Sequence, residues 1–427
     1  MPLGFIAILI LLAVSGAPIA FALLSAPILG LTITGDASLV RVLTARLYNG
    51  IDSYPLMAVP FFLLAGEAMN ASGVTTRLVK VAQSFVGHLS GGLAQVNIAA
   101  SILFAGMSGS AVADTSALGR ILMPAMRDAG YSKSFAAAVT AGSSVIGPVI
   151  PPSGIMIIYA FVMNVSVAGL FAAGLLPGLL MGLGMMVVAS FISKRRGYPA
   201  SERTTWPERA AAVQHAIPAL ATPVILVGGI FSGLFTPTEA AAIAAVYAIV
   251  LTKFGSKCIS RDEIVAVFTK TSLQSGIILF LIGASIAFSW MLTVSGVDSV
   301  IAEALQPFKD NRLLILLLLN IVLLLVGMFL DAGPAILILG PALGPTFIEI
   351  GIDPLHFAVI MCLNLTVGLA TPPIGLALFV ASSIAGESPE SVAREIVPFL
   401  LVHVCVIVFL SLTPSVALFV PRLLGFA

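Results

Sequence analysis

The stretch AGMSGSAVADTSALG, Ala105 to Gly119, places Ser108, Ser110, Asp114, Thr115 and Ser116 inside an apolar run that extends from 93 to 126. A bilayer core leaves backbone groups no water to bond, so such a Gly- and Ser-rich break persists only where protein or a watery cavity supplies partners. The run is also too long for one pass, because a crossing helix needs about 20 residues at about 1.5 Å each. It reads as a re-entrant hairpin, two half-helices meeting at a polar tip.

Working outward, the break has a counterpart. VGMFLDAGPAILILG, Val326 to Gly340, carries Gly327-Met328 and Leu339-Gly340 where the first stretch carries Gly106-Met107 and Leu118-Gly119, displaced by 221 residues. The same displacement relates Pro124 to Pro345, Gly130 to Gly351, Gly147 to Gly368, Pro151-Pro152 to Pro372-Pro373 and Gly154 to Gly375. An ungapped series of this kind is the mark of an internal duplication. The repeats cover 53–192 and 272–411, with hairpins at about 93–126 and 313–348, and each adds a helix broken at its Pro-Pro pair. Residues 1–52 supply N-terminal helices, 193–271 two basic loops around two short spans, and 412–427 a tail.

Composition agrees with a membrane chain. Of 427 residues 59% are hydrophobic and 9% charged, with a mean hydropathy of +1.12, against roughly a quarter charged in a soluble domain. The apolar runs are continuous, which excludes the alternation of a membrane barrel. A net charge of +1 without a basic block excludes nucleic acid as partner. The N-terminus, MPLGFIAILILLAVSGAPIAFALL, lacks the basic region and cleavage site of a signal peptide and reads as a first span. Cys258, Cys362 and Cys405 lie far apart and read as small apolar residues.

Basic residues orient the chain. SKRRGYPASERTTWPER (193–209) and TKFGSKCISRDE (252–263) are cytoplasmic by the positive-inside rule, so the apolar residues between them cross twice. The first repeat therefore ends inside and the second begins inside, which inverts them if each crosses an odd number of times. Matching loops carry opposite charge: Arg77 and Lys80 against Asp298 and Glu303, Arg127 and Lys133 against Glu349 and Asp353. The expected fold is an all-α polytopic membrane protein with two inverted-topology repeats and about eleven transmembrane helices.

Inverted repeats with both equivalent segments interrupted point to a secondary transporter with its sites at the membrane midplane. Asp114 and Asp331 sit in the two tips, where a carboxylate is costly unless paired or solvated; they read as site residues or as caps of their half-helices. Ser108, Ser110, Thr115 and Ser116 divide between ligand contact and capping. Glu239 in FTPTEAAAIAA falls in a first helical turn, as site residue or dipole partner. Arg46 either meets an anion or snorkels to the interface. His88, His215, His356 and His403 stand without partners at metal-ligand spacing. Two further readings stay open: an intramembrane protease using the Gly-x-Ser-Gly spacing at 106–109, and a passive anion channel.

The segments PFFLLAGEAMNASG, GMSGSAVADTSALGRILMPAM, VIGPVIPPSG, FTPTEAAAIAA and TVGLATPPIGLALF together resemble the large membrane subunit of tripartite ATP-independent periplasmic (TRAP) transporters, over nearly the whole chain. The resemblance implies a multi-pass protein of the bacterial inner membrane, not an enzyme, that takes up an organic acid with Na⁺ by an elevator motion. It implies a soluble periplasmic binding protein that delivers the substrate and a small four-helix membrane subunit, expected as a separate chain. Carried over by motif, one Na⁺ lies between Ser108 and Ser110 and the turn at Gly147, Val149 and Pro151. A second lies between Gly327, Asp331 and Gly333 and the turn at Gly368, Thr371 and Pro372, much of the coordination coming from backbone carbonyls. The substrate, a carboxylate such as sialic acid or a C4-dicarboxylate, sits near Ser108, Ser110, Asp114 and Ser153, with Arg46 as its carboxylate partner.

Overall fold

The computed structural model describes residues 4–254, 260–308 and 311–426, with backbone alone at 37, 108, 253–254 and 298–299. Cys258 thus lies outside the described residues, and the side chain of Asp298 is not described. All regular structure among the described residues is helical.

Three helices lead, α1 (Gly4–Val14), α2 (Ile19–Thr34) and α3 (Val40–Ile51). Helix α4 (Ala58–Ala71) follows a short turn of 3₁₀ helix and meets α5 (Val74–Val86) at a bend of 73°, where Gly73 takes φ +74°. The first hairpin is α6 (Gly92–Ser108) and α7 (Ala111–Asp128). Its tip turns on Gly109 at φ +61°, a value that L side chains resist, and Ser110 caps α7 by accepting the Ala113 N–H at 3.4 Å. The first broken helix is α8 (Lys133–Ser144), a crossover through Pro151-Pro152, and α9 (Gly154–Val162). Helix α10 (Val167–Arg196) ends with Lys194, Arg195 and Arg196 in its last turn, where cations offset the dipole.

The region between the basic loops, where two passes are expected, forms two helices, α11 (Trp206–Phe231) and α12 (Pro237–Phe254). The long α13 (Arg261–Val294) and short α14 (Val297–Leu305) then lead into the second hairpin, α15 (Arg312–Phe329) and α16 (Ala332–Glu349). The second broken helix is α17 (Pro354–Gly368) and α18 (Leu376–Ala385), and α19 (Pro389–Leu412) and two short helices end the chain. Helices α16 and α17 begin 221 residues after α7 and α8. Gly130 and Gly351, ending the two hairpins, both take φ +89°, and both Pro-Pro bonds are cis.

Among the described residues six helices, α10, α11, α13, α15, α16 and α19, are long and apolar enough to cross a membrane alone; the bent α4–α5 pair, taken as one span, makes a seventh. The half-helices α17 and α18, with α1 and α2, are apolar but shorter. One apolar core joins the two hairpin and crossover units to α10–α12, and a smaller one gathers α1–α3 on α13 through Phe5, Leu23, Leu43, Ile282 and Phe288. Small residues set the closest approaches. A Cβ on Gly174, Gly178 or Gly182 of α10 would lie 2.4 Å from the Val149 carbonyl oxygen, 2.3 Å from Ile150 Cγ1 and 2.5 Å from Ile102 Cδ1. This edge of α10 seats the first crossover.

Candidate functional site

A cavity of about 300 Å³ lies where the two tips face the helices α4, α11 and α13. Its first wall is made by helix beginnings: Ser110 and Ala111 at α7, Pro152 and Gly154 at α9, and Asp331, Ala332 and Gly333 at α16. Each of these half-helices starts at the cavity because its chain is broken there, so three helix N-termini, each with a side-chain cap, bring their positive dipole ends together on it. The facing wall is mostly apolar, with Phe62, Leu63, Met69, Leu226, Ile278 and Leu281, and two polar side chains, Thr222 and Gln274. Lys, Arg and His are absent from the described lining.

The expected residues divide between the cavity and its supports. Ser110 lines it as the α7 cap. Ser108 ends α6 at the tip, and its side chain lies outside the described part. Asp114 is fully buried one turn into α7, behind the cavity. A Cβ on Gly147 would lie 2.0 Å from Asp114 Oδ2 and 3.2 Å from the Ser144 carbonyl oxygen, so two oxygens converge beside Gly147 and only a glycine leaves them room. Val149 and Pro151 are buried in the same crossover, whose cavity-facing members are Pro148 and Pro152. Ser153 is buried and structural: its hydroxyl donates to the Pro148 carbonyl and accepts the Met156 N–H at 3.3 Å, capping α9.

In the second half Asp331 and Gly333 line the cavity. Asp331 caps α16, accepting the Ala332 N–H at 2.8 Å. Gly327 and Gly368 pack backbone to backbone, a Cβ on Gly368 falling 2.4 Å from the Gly327 carbonyl carbon. The Gly375 N–H donates to the Met328 carbonyl at 3.2 Å, tying crossover to tip. Thr371 donates its hydroxyl to Val367 at 2.8 Å, and Pro372 follows half-buried. The carbonyl oxygens of Thr371 and Leu369 lie 2.8 and 2.9 Å from the point a Gly375 Cβ would occupy.

Two expected residues lie elsewhere. Arg46 is exposed on α3 and does not line the cavity, in keeping with an interfacial side chain. Glu239 is exposed, and its carboxylate accepts the Thr236 N–H and hydroxyl, both at 2.8 Å, which is the capping arrangement. Sequence reasoning missed Gln274 and Thr222. The signal for Gln274 was an amide in the apolar run that follows Lys270. His403 and His356 bond the carbonyls of Gly142 and Leu410 at 3.0 and 2.9 Å. Among the described residues no cluster of His, Cys, Asp and Glu suits a transition metal, so a cation here would rely on backbone and carboxylate oxygens.

Comparison with known proteins fits this geometry. The family model described as the DctM component of the tripartite ATP-independent periplasmic transporter matches residues 6–416. The large permease protein SiaM of a sialic acid TRAP transporter from Vibrio cholerae is 38% identical over 96% of this chain and 96% of its own length. The large permease protein DctM of a C4-dicarboxylate TRAP transporter from Pseudomonas aeruginosa is 38% identical, covering 90% of each chain. In fold, the crystal structure of the YdaH transporter of Alcanivorax borkumensis superposes with a TM-score of 0.62 at 16% identity, covering 89% of this chain and 90% of that one. The chain therefore belongs to the DctM family, the large permease component of TRAP transporters.

Proposed function

We propose that this inner-membrane permease carries an organic acid anion into the cell together with Na⁺, by sliding the two hairpin and crossover units past the helices of the facing wall. The observation that carries the reading is the convergence of three half-helix N-termini on one cavity that holds a carboxylate, Asp331, and no basic side chain among its described lining. Positive dipole ends favour an incoming carboxylate. Asp331 on the same wall repels it, and a cation between the two removes the repulsion. Na⁺ binding before substrate follows from that sign. The paired oxygens of Asp114 and Ser144 beside Gly147, and of Leu369 and Thr371 beside Gly375, offer the hard oxygen donors a Na⁺ needs.

The relatives' names give sialic acid and C4-dicarboxylates as substrates of those proteins, and an organic acid of this kind is the cargo proposed here. The proposed partners are a small membrane subunit and a periplasmic binding protein. Proteolysis at 106–109 and passive conduction are not favoured, since the family is one of transporters.

Reconstitution in liposomes with both partners tests the proposal. The expected result is uptake of labelled sialic acid or succinate that requires an inward Na⁺ gradient and the binding protein. Uptake indifferent to Na⁺ overturns the coupling, and uptake that runs passively without the binding protein overturns the tripartite reading.

A further inference from the structure

Arg209, in the second turn of α11, is 7% exposed, and its Nε and Nη2 are buried with no hydrogen-bond partner among the described residues. Its guanidinium carbon lies 5.2 Å from the Trp206 ring centroid and 5.6 Å from that of Phe85 on α5. The two rings cover the cation and attract it through their quadrupoles, but a ring supplies no oxygen to the N–H groups of the guanidinium. The neighbouring acid does not compensate it: Glu208 is exposed and accepts the Thr205 N–H and hydroxyl at 2.8 and 2.9 Å. A little deeper along the same α5–α11 seam Arg77 donates to the His215 carbonyl at 3.4 Å, so the seam brings a second cation.

The two orphaned nitrogens share one edge of the guanidinium. That edge is the fork that grips two oxygens of a phosphate side by side, a geometry Lys lacks. The site also stands where such an anion is abundant. Trp206 opens a membrane-length helix shortly after Lys194, Arg195 and Arg196 at the end of α10 and Arg203 in the connection, and it is 75% exposed. Trp at a span's end marks the headgroup level, and the cytoplasmic leaflet carries the anionic lipids.

We propose that the Nε–Nη2 edge of Arg209, between Trp206 and Phe85, is a binding site for a phosphate group, supplied by the headgroup of an anionic phospholipid, with Trp206 as the movable side that admits it. This proposal is independent of the transported substrate. Trp206 and Trp290 are the two tryptophans of the chain, so in a Trp290→Phe background Trp206 fluorescence reports on the site.

The full chain is placed in nanodiscs of phosphatidylcholine alone, of phosphatidylcholine with phosphatidylglycerol, and of phosphatidylcholine with added inorganic phosphate, and native mass spectrometry counts retained lipid. The expected result is a saturable shift of Trp206 emission with phosphatidylglycerol, one retained lipid, and about tenfold weaker retention in Arg209→Gln, or about 1.4 kcal/mol. Arg209→Lys keeps the charge without the fork and is expected between the two, which keeps the test decisive if Arg209→Gln fails to fold. A shift with inorganic phosphate in phosphatidylcholine supports the site and makes free phosphate its source. A response unchanged in both variants, no response to either anion, or protection of Trp206 by the small subunit alone overturns the proposal.

Discussion

The two hairpin and crossover units share a backbone plan and differ in what covers them. In the first, every residue from Phe135 to Ser153 is buried, and Asp114 behind the tip is wholly enclosed. In the second, burial holds from Leu355 to Ala370 and then fails: Ile374 and Leu376 are 39% and 40% exposed, and Asp331 faces the cavity. The cause lies outside the hairpin and crossover units themselves. The glycine edge of α10 lies on the first crossover, and Gly106 in the first tip is so close to Pro223 of α11 that a Cβ there would fall 2.8 Å from it. One device, a polar break in a half-helix pair, thus lines the cavity in both copies but buries its carboxylate in the first and presents it to the cavity in the second.

Breaking the shared plan is expected to have the largest effect. Gly368→Ala drives a Cβ to 2.4 and 2.5 Å from the Gly327 carbonyl carbon and Cα, backbone that no rotamer change can move. A destabilisation of about 3 kcal/mol is expected, visible as a lowered melting temperature of the purified chain. In Gly147→Ala the clash is with the Asp114 carboxylate, which can swing away, so that variant is expected to fold while losing Na⁺-dependent uptake. Equal melting of Gly368→Ala and wild type would refute the backbone packing.

The carboxylates sharpen the contrast. Asp114→Asn replaces the buried acid behind the first tip and is expected to lower Na⁺-driven uptake by about 100-fold, the equivalent of about 2.7 kcal/mol. In the function proposed above, Asp331→Asn removes the charge that would repel the substrate and hold the cation. The expected outcome is about tenfold slower uptake with a weaker dependence of substrate affinity on Na⁺, measured by titrating Na⁺ at fixed substrate. Normal Na⁺ dependence in both folded variants defeats the assignment of these tips as ion sites.

Much of this plan was legible in the chain. The hairpins expected at 93–126 and 313–348 are helices over 92–128 and 312–349, because Gly and Pro breaks inside apolar runs are local signals. The difference between Asp114 and Asp331 was not legible, since it depends on how α10 and α11 pack back onto the first unit, and no local pattern of residues carries that. Arg46 misled for a related reason: charge in an apolar sequence marks either a site or an interface, and only packing separates them. Gln274 lies away from the breaks, in an unbroken helix across the cavity, where a lone amide in an apolar run is its one mark in the sequence.

The attachment of the second tip gives a smaller effect. Pro341 in α16 has no N–H for the Leu337 carbonyl four residues before it, and the Ser285 hydroxyl of α13 donates to that carbonyl instead. Ser285→Ala leaves the carbonyl orphaned, whereas Pro341→Ala lets the helix bond it internally. A double-mutant cycle on thermal stability is expected to give a coupling of about 1 kcal/mol, the double variant recovering much of the loss of Ser285→Ala. Additive effects would show that this bond does not hold the tip against α13.

The smallest effect is expected at Glu239, and it separates a residue that caps a helix from one that handles cargo. Both bonds of its exposed carboxylate go to Thr236, whose hydroxyl accepts the Glu239 N–H in return at 3.3 Å, so the three contacts close on themselves at the start of α12. Glu239→Gln keeps an acceptor for the Thr236 N–H and loses only charge against the helix dipole, while Glu239→Ala loses the bonds as well. Melting temperatures should therefore fall in the order wild type, Gln, Ala, by no more than a few degrees in all. Uptake per folded molecule and its Na⁺ dependence should be the same in all three, because the carboxylate is occupied at a helix end outside the cavity. A loss of uptake in Glu239→Gln without a matching loss of stability would place Glu239 in the transport machinery and remove the distinction drawn here between cap and site.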